Sequence, residues 1–144
     1  MISIGALSKV SGVHIETIRY YERSGILPKP GRATNGRRVY DDGDVRRLLF
    51  IRHARDLGFD LGAVRDLLQL QEQPNQSCNG AWRLASAHLE AVEGRLRLLE
   101  RLRVELARMV ASCRYGRVSE CHVIDALATP QFGPSAGIAN CRSL

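Results

Sequence analysis

Three cysteines stand where a soft ion could be held. Cys113 and Cys121 close a short segment, CRYGRVSECH, with seven residues between them, and Cys78 lies thirty-five positions upstream in PNQSCNG. Such thiols can form a disulfide, trap a metal or be unrelated neighbours. In a reducing compartment they stay reduced, which disfavours the disulfide. The spacing is too wide for the C-x2-C knuckle of a structural zinc finger, and no second C-x2-C occurs. Two thiolates on one short loop can still converge on a single soft ion. Gly116, and the lack of β-branched residues from Arg114 to Arg117, let that loop curl. On spacing alone, a metal site and two unrelated thiols both stay open. His122, directly after Cys121, and Cys141 near the C-terminus are further donors within the same stretch of chain.

A long helix must separate Cys78 from the other two. Pro74 marks a break and PNQSCNG reads as a loop, after which a helix is expected from about Ala81 to Ser112. Its apolar positions are Leu84, His88 or Ala87, Ala91, Leu98 or Leu99, Leu102, Leu106 and Met109, a narrow stripe of 3.5-residue type. Gly94 is its weak point. No other segment is long enough to cover such a seam, so the expectation is a coiled-coil dimer. At 1.5 Å per residue the helix is about 45 Å long, which puts Cys78 and Cys113 of one chain at opposite ends.

The N-terminal third carries different chemistry. Residues 1–40 hold seven basic groups (Lys9, Arg19, Arg23, Lys29, Arg32, Arg37 and Arg38) against Glu16 and Glu22, within a chain of net charge +6. That imbalance points to a polyanion, most simply nucleic acid. Ile4, Leu7 and Val10 trace one short helix ended by Gly12, and Ile15, Ile18 and Tyr21 trace a second, closed by Gly25. Joined by the turn at Ser11–Val13, they make a helix-turn-helix. In PKPGRATNGRRVYD the N-G pair reads as the turn of a hairpin bearing cations. A helix with acids in its first turn and Gly58 after its last follows, then a shorter one with Leu61, Val64, Leu67 and Leu68 on one face.

The second helix would enter the major groove. Arg19 can reach a guanine edge or a phosphate, and Thr17 a base or the backbone. Of the adjacent Tyr20 and Tyr21, one packs while the other can offer its hydroxyl to a phosphate. Arg32, Arg37, Arg38 and Tyr40 would lie along the flanking backbone. No segment approaches the eighteen or so apolar residues of a membrane helix, and the N-terminus lacks a signal peptide's pattern, so a cytoplasmic protein without a membrane partner is expected. The absence of a phosphate loop and of a convincing nucleophile–base pair argues against an enzyme.

The runs IGALSKVSGVHIETIRYYERSGILPKPGR and NGRRVYDDGDVRRLLFIRHARDLGFDLGAVRDLL resemble the MerR family of transcriptional regulators, in particular its metal-sensing branch. The resemblance extends from residue 2 to about residue 128. It implies a mainly α fold: a winged helix-turn-helix DNA-binding domain with a two-helix bridge (residues 1–75), a dimerisation helix paired antiparallel with its mate (76–112), a metal-binding loop and short helix (113–128) and a flexible tail (129–144). It also implies a homodimer on a pseudo-palindromic promoter, with Thr17, Arg19, Tyr20, Tyr21, Arg32, Arg37, Arg38 and Tyr40 at positions that touch DNA. Apo protein would repress. Metal-bound protein would bend and untwist the promoter so that RNA polymerase engages, at a gene for metal efflux or detoxification.

If two long helices pair antiparallel, Cys78 of the partner subunit lies beside Cys113 and Cys121. Members that resemble this chain in having cysteine there respond to divalent zinc, cadmium, lead or mercury. The copper(I), silver and gold sensors have serine there, and a sensor of that kind is the alternative. Zinc and cadmium usually want a fourth ligand, for which His122 and Cys141 are candidates. The doubled cysteine and loop histidine of the zinc sensors are absent.

Overall fold

The computed structural model describes residues 1–112 and 116–128. Cys113, Cys141 and the tail from residue 129 lie outside the described residues. The elements are α1 (Ile4–Ser11), α2 (Ile15–Arg23), β1 (Gly31–Arg32), β2 (Arg38–Val39), α3 (Asp42–Asp56), α4 (Leu61–Gln71), α5 (Asn79–Ser112), a 3-10 turn (Val118–Glu120) and α6 (His122–Ala128). They fall into two units, Met1–His88 and Leu89–Leu144.

Local chemistry sets the boundaries in the first unit. The Ser3 hydroxyl caps α1 by accepting from Ala6 N–H at 3.2 Å. Asp41 and Asp44 form a reciprocal capping box at the start of α3, and Asp60 caps α4 through Ala63 N–H at 2.8 Å. Gly12, Gly25 and Gly58 end α1, α2 and α3 in the left-handed region. β1 and β2 pair antiparallel, Gly31 opposite Val39 and Arg32 opposite Arg38. Their turn is not the two-residue type that the N-G pair suggests. Gly36 alone has positive φ (79°), and its N–H bonds Ala33 O at 2.8 Å, so a four-residue turn runs from Ala33 to a left-handed glycine.

The core of this unit is built by Leu7, Ile18, Ile26, Leu27, Leu48, Ile51, Val64 and Leu68, all essentially enclosed. Each contributes about 1.5–3 kcal/mol by leaving water. Val10 is 60% exposed, contrary to its expected place on the inner face of α1. Ser11 holds that place instead, because the chain turns back immediately after it. Its hydroxyl donates to Leu7 O (2.7 Å) and accepts from Val13 N–H (3.2 Å), while the Ser8 hydroxyl donates to Val13 O (2.7 Å). A buried hydroxyl so satisfied costs little.

Three arginines from α3 and α4 grip backbone carbonyls at the ends of α1 and α2 and just beyond α2. Arg52 donates to Ser11 O, Arg47 Nε to Ile26 O at 2.9 Å, and Arg65 to Ser24 O at 2.8 Å. The first grip makes Gly12 sensitive. Its φ is 69°, and a Cβ there would overlap the Arg52 guanidinium. Gly25 has a similar φ of 77° but open space around it. Gly12→Ala should therefore cost about 2–3 kcal/mol, left-handed strain plus a displaced hydrogen bond, against about 1 kcal/mol for Gly25→Ala. Chemical denaturation of the two variants checks the ordering, and equal losses would remove Arg52 from the account.

α5 continues unbroken through Gly94 and has no buried residue. Within its first unit segment, His88 leaves the expected seam. Its ring stacks on Phe59 with centroids 4.5 Å apart, and Nε2 donates to Leu57 O at 2.6 Å. Beyond Leu89 the exposed apolar residues include Leu96, Leu98, Leu99, Leu102, Leu106 and Val110. At 100° per residue these span roughly half of the helix circumference, a broader face than the single stripe the sequence suggested. No described helix is long and apolar enough to cross a membrane.

Candidate nucleic-acid interface and metal centre

The recognition helix α2 presents its candidates unequally. Ile18 and Tyr21 point inward, and Tyr21 is only 7% exposed, so it is the tyrosine that packs. Tyr20 is exposed, its ring 6.0 Å from that of Tyr21. Thr17 is half-buried. Arg19 is half-buried, its Nε enclosed without a hydrogen-bond partner among the described residues, while its terminal nitrogen pairs with Glu16 at 2.9 Å, one turn earlier. An exposed pair of this kind is worth little and yields readily to a phosphate.

On the ribbon, Arg32 donates to Gly36 O at 2.9 Å, which stiffens the turn, and Arg37 is exposed. Arg38 is half-buried, its Nε 3.7 Å from a Glu22 carboxylate oxygen. Tyr40 departs from expectation. It is fully buried, and its hydroxyl donates to Glu22. Burial, then the hydrogen bond and charge of Glu22, push that hydroxyl well above the ordinary tyrosine pKa. Tyr40 is thus a core residue that ties the ribbon to α2 and offers nothing to a flanking phosphate. The expectation failed because the hydropathy of R-V-Y does not say which side chain turns inward.

Sequence reasoning also missed Glu22, Arg47, Arg52 and Arg65. Their partners lie 18 to 41 positions away, and no local pattern announces them. The one available signal was Glu22 itself, an acid on a helix otherwise suited to a polyanion.

The thiols among the described residues, Cys78 and Cys121, occupy helix starts. The Cys78 carbonyl accepts from Trp82 N–H at 3.0 Å in the first turn of α5, and the Cys121 carbonyl from Asp125 N–H at 3.1 Å in the first turn of α6. Negative charge is favoured at such ends. Cys78 is exposed, Cys121 half-buried, and neither is in a disulfide. His122 is half-buried in the first turn of α6. Among the described residues of one chain, no group of three or more His, Cys, Asp or Glu side chains is brought together. The donor set of free thiols nevertheless suits a soft or borderline ion. Beside Cys78, α4 and the first turns of α5 line a groove of about 330 Å³ with Asp66, Gln69, Leu70, Gln73, Gln76, Gly80 and Leu84.

Two known families match overlapping stretches of the chain. Residues 2–71 match the family of MerR HTH regulatory proteins, and residues 45–109 match the family described as MerR, DNA binding. The HTH-type transcriptional regulator ZntR of Escherichia coli K12 is 34% identical over 140 residues, 95% of this chain and 99% of the relative. The mercuric resistance operon regulatory protein of Serratia marcescens is 37% identical over 128 residues, covering 88% and 87% of the two chains. Among solved structures, the transcription regulator PbrR691 from Ralstonia metallidurans CH34 in complex with lead(II) aligns with a TM-score of 0.76 at 35% identity, covering 88% of this chain and 99% of that one. A basic helix-turn-helix with its ribbon, a two-helix bridge, a long helix and full-length relatives leave one assignment: the chain belongs to the MerR family of helix-turn-helix transcriptional regulators.

Proposed function

We propose that the protein is a homodimeric, metal-responsive regulator that represses its promoter when metal-free and activates it when a divalent soft or borderline ion binds. The observation that carries this reading is the pair of free thiols at the heads of α5 and α6, set beside a helix whose apolar face is uncovered in the single chain. Covering that face with a second α5, antiparallel, would bring Cys78 of the partner subunit to Cys113 and Cys121. His122 and Cys141 are the candidate fourth donors. A relative named for mercuric resistance and a similar structure in complex with lead(II) support a divalent signal.

The ion acts only through its preference for one dimer geometry over another. Ligand thiols from two chains would draw the loop and α6 of one subunit toward the start of α5 and the α3–α4 pair of the other. That shift would re-angle the DNA-binding heads. The heads would then distort the promoter, offsetting a deformation cost of about a few kcal/mol, so that RNA polymerase engages. The regulated gene would encode metal efflux or detoxification, in the cytoplasm of the host cell.

Titrating the reduced protein with zinc, cadmium, lead, mercury and copper(I), alongside Cys78→Ser, tests the reading. Trp82, the single tryptophan, sits one turn from Cys78 and supplies a fluorescence signal. One divalent ion per subunit, weakened most by Cys78→Ser, is the expected result. Tightest binding of copper(I), unaffected by Cys78→Ser, would instead indicate a two-thiolate site and a sensor of monovalent ions.

A further inference from the structure

The Glu22 carboxylate lies in the last turn of α2, with its side chain 7% exposed. Of its two partners, Arg38 lies in β2 and Tyr40 directly follows it, and neither belongs to its own helix. Tyr40 donates its hydroxyl to one oxygen, and Arg38 Nε stands 3.7 Å from the other. Tyr40 is itself immobilised, enclosed on all sides and exchanging two backbone hydrogen bonds of 2.9 Å with Ile2. Arg38 is different: its side chain is 39% exposed, so one part meets the carboxylate while the rest faces solvent.

Burying a carboxylate is costly unless it is paired, and an acid near a polyanion site repels the ligand. A residue that carries both costs must act through what it holds. We infer that Glu22 is a positioning residue for DNA binding: by gripping Tyr40 and Arg38 it fixes the wing against the end of the recognition helix, so that Arg38 and the outward residues of α2 meet one duplex in register. The inference rests on the DNA-binding reading and adds a specific anionic brace to it. Arg38 is the contacting group, and Glu22 acts through it.

The sign of one substitution separates this role from simple electrostatics. Glu22→Gln removes a negative charge, so charge alone would tighten DNA binding. Loss of the brace loosens it. The probe is a duplex enriched from a random-sequence pool by the full-length wild-type protein. Failure of the wild type to enrich any duplex would sink the DNA-binding reading itself, a result separable from any outcome for Glu22. With the enriched duplex, Glu22→Gln should weaken binding about tenfold, and the slope of log Kd against log salt should fall by about 0.9, one phosphate contact. Arg38→Ala should do the same, and Glu22→Gln should add no more than about twofold to it. Tyr40→Phe, which preserves the packed ring, guards against a folding artefact and should weaken binding about threefold with its melting transition retained. Wild-type or tighter binding by Glu22→Gln, losses that multiply with Arg38→Ala, or unchanged binding by Tyr40→Phe would each overturn the proposal.

Discussion

With Leu98→Glu and Leu102→Glu together, the protein is expected to sediment as a monomer and to lose roughly a hundredfold or more in affinity for duplex DNA. The two leucines are 47% and 44% exposed in the single chain and lie one turn apart on the apolar face of α5, none of whose residues is buried. Two-fold symmetry doubles the change, so four leucines leave a proposed dimer seam and four carboxylates enter it. Burying unpaired carboxylates costs more than the lost apolar contact, and the combined penalty exceeds what a seam of this kind contributes. Glutamate is a good helix former, so helix content should hold while the oligomer dissociates. A monomer also forfeits the effective concentration that links two half-sites, which is commonly worth about 10²–10⁴ in affinity. Analytical ultracentrifugation and fluorescence anisotropy read the two effects separately. A variant that stays dimeric would move the interface away from this face.

The second large effect concerns the sensing end. Cys121→Ser, and separately Cys113→Ser, should weaken divalent metal binding by about a hundredfold or more and abolish metal-dependent transcription. Substitutions that merely orient a ligand already cost about 10–100-fold, so removal of the ligand itself should cost at least that. A serine hydroxyl replaces a soft thiolate with a hard, protonated oxygen of similar size, which spares the fold and removes the chemistry. DNA binding by the metal-free protein should survive, because the helix-turn-helix is completed within Met1–His88. Run-off transcription with and without zinc, cadmium, lead or mercury, paired with a gel-shift assay, checks both halves. Full induction in Cys121→Ser would take Cys121 out of the ligand set.

Much of the architecture was readable from local rules. Asp41, Asp44 and Asp60 before apolar runs, and Gly12, Gly25 and Gly58 after them, are start and stop signals that act within one helical turn. Side-chain fates decided by distant partners were not readable. Val10 and Ser11 exchanged roles because the chain reverses one residue later, and Tyr40 went inside because Glu22, eighteen positions earlier, receives its hydroxyl. His88 fitted the periodicity of the α5 seam, yet the Phe59 ring and the Leu57 carbonyl drew it to the turn between α3 and α4. At the C-terminal end, spacing left a shared metal site and unrelated thiols both open. The proposed common ligation joins two chains, Cys78 of the partner subunit with Cys113 and Cys121, and a pairing of that kind leaves no periodic signal within one chain.

The arginine grips of the first unit have a bearing on working conditions. Arg47 Nε, Arg52 and Arg65 donate to neutral carbonyl oxygens. Mobile ions screen charge pairs at a surface far more than they disturb a directed hydrogen bond to a carbonyl. The grip on DNA belongs to the opposite class, since it rests on cations displacing counterions from phosphates. The head should therefore behave as a tool whose edge is dulled by brine while its frame keeps its shape: rising salt is expected to release DNA and leave an intact reader ready to bind again.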